Sequence, residues 1–231
     1  MPAVSTMDGI FRAPELEASP ATHFTPVGRL GAAATLVLGA AFQLAAFIAE
    51  PEHDETLDRF QWIADNPERA DLAKLFDVLA MPFLFGTVIV YVLLSRERSR
   101  RLAYAAGILL GCAMVGLSMI QGYETFAFTV VQDGSFDLAA LADAFEETSP
   151  PAIAMLLLFI PGAFFGLLAM TVALWRSRAV PRGAVLLVPA FIVVDLFLSR
   201  GLEGHLISFI GACWIASAVL LAGRAASAAQ P

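Results

Sequence analysis

Lysine is almost missing from this chain: Lys74 is the only one in 231 residues, beside 13 arginines. Charged residues of all kinds make up only 15% of the sequence, while 58% is hydrophobic and the mean hydropathy is +0.75. That balance excludes an ordinary soluble domain. With a net charge of −7 there is no basic surplus to hold a phosphate backbone, so no nucleic-acid partner is expected. Cysteine is nearly absent too. Cys112 and Cys213 fall in apolar runs with no CxxC and no metal-ligand spacing, and they read as small buried hydrophobes.

Chemical motifs are equally scarce. The sequence contains no HExxH, P-loop, GxSxG or paired Asp-rich box. No catalytic residue, metal or cofactor is therefore assigned, and a lipid-active enzyme would need a nucleophile or metal set that these residues do not assemble. The acidic loop Glu50-Pro51-Glu52-His53-Asp54-Glu55 lacks the glycine-centred spacing of a calcium loop and reads as a solvated surface. The excess of arginine over lysine, with abundant alanine, is the composition of a GC-rich bacterial genome.

What the sequence does have is apolar blocks of about 20 residues, the length a helix needs to cross about 30 Å of hydrocarbon. They predict an all-α, polytopic membrane protein with six transmembrane helices in one bundle. The spans fall near 27–48, 72–95, 102–122, 151–175, 183–199 and 206–222, so the bundle occupies 27–223. Residues 1–26 carry four prolines and no apolar block, and read as a flexible tail without the pattern of a signal peptide. Residues 224–231 read as a short second tail.

The loops sort by charge. Segment 50–71 holds eight acids and two arginines, and segment 123–149 holds six acids and no basic residue. The turns at 96–101 and 176–182 hold four and three arginines. Basic loops stay in the cytoplasm, which puts both termini inside and the acidic loops outside. The expected location is a bacterial inner membrane, with the lipid bilayer as a partner.

Within the acidic loops, Thr56–Ile63 and Ser135–Glu147 each predict a short amphipathic helix. The first has Leu57, Phe60 and Ile63 on its apolar side, with Trp62 suited to the headgroup region; the second has Leu138, Leu141 and Phe145. Asn66-Pro67-Glu68 predicts a helix start with Asn66 as its cap. Pro82, Pro161 and Pro189 fall inside spans as kink points. Gly107–Gly111 and Gly162–Gly166 have the GxxxG spacing of close helix contacts. An offset of 80 residues pairs Gly86 with Gly166 and Arg96 with Arg176, the pattern of a duplicated hairpin.

Charge inside a membrane span is costly and so informative. The stripe Asp71, Lys74, Asp77 runs down one helical face into apolar sequence, and Lys74 is spaced to neutralise either acid. Gln43, Gln121, Glu124, Asp195 and His205 fall at similar depth in other spans. These seven residues without Asp71 (Gln43, Lys74, Asp77, Gln121, Glu124, Asp195, His205) form the candidate ligand-binding or ion-pathway set. Asp195 has no basic residue before it in its own span, so it must be neutral or meet Lys74 or His205 from another helix.

Two functions follow from this pattern. One is a protein that binds or transports a small solute, cation or proton through an outward-facing polar cluster. The other is a non-catalytic accessory or scaffold protein that docks a membrane-protein partner, or a second copy of itself, through its acidic outer helices.

Overall fold

A computed structural model describes residues 24–147, 149–198 and 201–228, and among these every regular element is helical. The terminal segment at 1–23, Thr148, Ser199, Arg200 and residues 229–231 lie outside the described residues. Helix α1 is Pro26–Ala49, α2 Thr56–Asp65, α3 Pro67–Asp133, α4 Leu138–Glu146, α5 Pro150–Ser177, α6 Arg182–Ile192 and α7 Gly201–Ala228. A π-helical turn, Val193–Phe197, follows α6 directly.

Four of these helices are long and apolar enough to cross a membrane: α1, α3, α5 and the 201–222 part of α7. At about 1.5 Å per residue, the 24 residues of α1 reach about 36 Å. Helix α3 has 67 residues, far more than one crossing requires, and it breaks at Ser99, where φ is −139° and ψ is 41°. The break falls in the arginine-rich turn. Beyond it the chain doubles back, so that Gln132 Nε2 donates to Asp71 Oδ1 at 2.9 Å. The two arms of α3, 67–98 and 100–133, cover the stretches 72–95 and 102–122 that were expected as the second and third spans, and run past them at their acidic ends.

Local sequence accounts for most helix ends. Thr25 Oγ1 accepts from the Gly28 amide and Ser149 Oγ from that of Ala152, each with proline in the first turn. Gly134 closes α3 with φ +67°, a backbone conformation that favours glycine. Asn66 stands at the N-cap of α3 as expected, but its side chain makes no capping bond; Nδ2 donates back to the Trp62 carbonyl, so the residue also closes α2.

Two boundaries also change. The expected fifth span, 183–199, is helical only through Ile192 and then widens into the π turn. Pro189 lacks an amide hydrogen and so removes one ladder bond within α6, four residues before the π turn begins. The last helix starts at Gly201, not at Leu206, and continues through Ala228, so most of the expected C-terminal tail is helix. Cys112 is exposed on the outside of α3, contrary to the expected burial, because its face of the helix meets no other element; both cysteines are free.

The arms follow one another around a closed ring. Helix α1 packs on the first arm of α3, where Gly39 lies against Phe83 and Gly86 against Thr35. The second arm packs on α5, α5 touches α6, α6 packs on α7, and α7 returns to α1. Glycine permits the tightest of these contacts. A Cβ on Gly162 would come within 2.7 Å of the Leu109 carbonyl oxygen, and one on Gly116 within 2.8 Å of the Phe159 nitrogen. The Gly162–Gly166 pair thus seats α5 on α3 backbone to backbone, while Gly107 meets Val92 across the α3 hairpin.

The end of the ring near the basic turns is solid. Leu36, Leu94, Ala103, Met170, Leu174, Val185, Ile215 and Val219 are buried together there. At the acidic end, α2 and α4 form a cap. Phe60 and Ile63 of α2 and Ala142 of α4 are buried against Ala70, Ala127, Phe128 and Val131 of α3. Their apolar sides are therefore turned into the protein, and the Trp62 ring lies tilted against His53 at 5.6 Å between ring centroids.

Candidate functional site

Between the packed end and the cap lies a cavity of about 330 Å³, to which all six arms contribute. Its lining is sorted along the helices. Tyr91, Leu110, Met114, Leu167 and Leu187 line the part nearer the packed core, and Gln43, Asp77, Gln121, Asp195 and His205 line the part nearer the cap. Five of the seven residues singled out from sequence thus share one cavity. Lys74 and Glu124 do not line it; Lys74 is bonded to two residues that do, Asp77 and Gln121, and Glu124 is joined to them through Lys74.

Lys74 is the centre of the first polar group. Its Nζ donates to Glu124 Oε2 at 2.8 Å, to Gln121 Oε1 at 2.9 Å and to Asp77 Oδ2 at 3.3 Å. Three acceptors match the three hydrogens of the ammonium group. Only 7% of the lysine side chain is exposed, and the Phe128 ring lies 4.9 Å from Nζ. Of the two acids at helical spacing, Lys74 takes Asp77. Asp71 lies toward the exposed end of the arm and binds Gln132 instead.

Arg59 of α2 joins this group, which sequence reasoning missed. It donates from Nε to Glu50 and from both terminal nitrogens to Glu124, at 3.4 and 3.5 Å. Burial works against the Arg59 charge, yet the Glu124 and Glu50 carboxylates more than offset it and hold its pKa above the ordinary value. The available signal was its place next to Phe60, on the inward side of an amphipathic helix. Through Arg59 the cap is tied to the end of α1 and to the second arm of α3.

The second polar group is Asp195 with His205. Asp195 sits in the π turn, seated on α7 where a Cβ on Gly204 would approach its own Cβ to 2.9 Å. Its Oδ1 is 3.7 Å from His205 Nδ1, too far for a hydrogen bond. That nitrogen is already engaged with the Gly201 carbonyl oxygen at 2.8 Å, to which it donates. The imidazole is held between Phe47, with ring centroids 4.0 Å apart, and Phe191 at 5.4 Å. The two aromatic residues carried no mark in the sequence beyond their apolar spans.

Comparison with protein-family models, curated proteins and solved structures gives no match for this chain.

Proposed function

We propose that this is a multi-pass membrane protein that binds a small solute in the cavity between its helices, taking it up from the side that carries the acidic loops. In this reading the two arms of α3, together with α1, α5, α6 and α7, make six crossings. The arginine-rich turns at 96–101 and 176–182 face the cytoplasm, with both termini, and the α2–α4 cap faces out. A bacterial inner membrane fits the same charge pattern.

The observation that carries the proposal is the convergence of Gln43, Asp77, Gln121, Asp195 and His205 on one cavity of about 330 Å³ with an otherwise apolar wall. A concave, mainly apolar site with a few converging polar groups is the usual form of a small-molecule site. The solid packing at the basic end supports binding and release at the acidic side. The accessory reading, docking through α2 and α4, has less to stand on. The apolar sides of those helices are used within the chain, against Phe128 and Val131.

Filling the cavity tests the reading. Ala163 lines it from α5, and Ala163→Phe is expected to remove solute binding, or uptake in cells, while leaving the amount and thermal stability of the protein unchanged. Full activity in that variant would count against the cavity as the functional site.

A further inference from the structure

The charges around the cavity do not cancel. The carboxylates of Glu50, Asp77 and Glu124 are shared between Arg59 and Lys74, and each accepts hydrogen bonds from one or both of those cations. Asp195 has no such donor among the described residues. Its titratable neighbours among them are His205, whose Nδ1 is turned to the Gly201 carbonyl, and the acidic Glu52, which adds negative charge to the site. The fixed cations lie on the far side of Asp77 and Gln121 and are already saturated with acceptors. A carboxylate in an apolar cavity without a donor is costly, and the cost is relieved by a ligand that brings positive charge to it.

The walls beside Asp195 suit such a charge. Phe47 and Phe191, which hold His205, also line the cavity, and aromatic faces attract an ammonium group most strongly where water is excluded. Resting on the cavity reading above, we propose that the solute is an organic cation: an ammonium group placed at Asp195 on the cavity side of Phe47 and Phe191, beside the imidazole they hold, with its apolar body directed toward Tyr91, Met114 and Leu187. The volume of about 330 Å³ suits a small molecule.

A matched pair of probes isolates the charge. Benzyltrimethylammonium and neopentylbenzene have the same shape and differ in one atom, a charged nitrogen or a neutral carbon. Their saturable binding is measured on the full chain in phosphatidylglycerol nanodiscs, with empty discs subtracted. The cation is expected to bind about tenfold or more tightly than the hydrocarbon, and Asp195→Asn to abolish that difference while hydrocarbon binding persists. Phe191→Leu serves where the aspartate variant does not fold, and is expected to weaken the cation several-fold and leave the hydrocarbon unchanged.

Equal binding of the two probes overturns the cation assignment and leaves the cavity reading standing. So does undiminished preference for the cation in both variants. Saturable binding of neither probe overturns the cavity reading itself. Displacement of the cation by added phosphatidylcholine overturns the assignment to a small molecule.

Discussion

Replacing Lys74 with methionine is expected to destabilise the protein by about 3–5 kcal/mol, the usual loss when one member of a buried ion pair is removed. The reason is what remains. Glu124 and Asp77 keep their charges in a poorly solvated place, and Gln121 loses the donor that fixes its amide. Arg59 compensates only in part, since its contacts to Glu124 are long and it also serves Glu50. Reversible unfolding in mixed detergent micelles reads the change. The triple variant Lys74→Met, Asp77→Asn, Glu124→Gln is expected to recover most of the loss, because it removes the orphaned charges along with their partner. A stable single variant would mean that the acids are neutral, or hydrated, without the lysine.

Replacing Gly162 with leucine is expected to separate α5 from α3. Its Cβ alone would stand 2.7 Å from the Leu109 carbonyl oxygen and 3.0 Å from the Ala113 nitrogen, both backbone atoms that cannot rotate away. Overpacking of a tight contact costs about 1–3 kcal/mol, more where backbone is the obstacle. Helix association in lipid rests on close van der Waals contact, so the lost approach is not made good by a hydrophobic gain. A lower melting temperature with loss of the monodisperse protein is the expected result. Gly111→Leu is the control. No neighbour lies within 4 Å of a Cβ there, and its stability is expected to be unchanged.

Much of the bundle was legible because bilayer length, proline starts and arginine-rich turns are local signals. The starts of α1 and α5 and the doubling of α3 are where hydropathy placed them. The part that was not legible depends on contacts across the ring. Nothing local marks the π turn at Val193–Phe197 beyond Pro189, and the helical start at Gly201 was hidden by its polar neighbours Glu203 and His205. For the site, charge in apolar sequence was enough to single out Lys74, Asp77 and Asp195. It could not separate them into one saturated group around Lys74 and one open carboxylate at Asp195. That division depends on Arg59 reaching in from α2, and on His205 turning to Gly201, a bond within its own helix.

Side-specific cysteine modification tests the central claim most directly. Ser208 lines the cavity from α7, and Ser208→Cys places a thiol there once Cys112 and Cys213 are replaced by alanine. The reagent is the membrane-impermeant trimethylammonium-ethyl methanethiosulfonate, applied to intact cells. A cavity that is reached from the acidic side and receives cations gives rapid modification from outside, slowed by benzyltrimethylammonium. Modification only when the cytoplasmic face is exposed, or from neither face, would contradict the account.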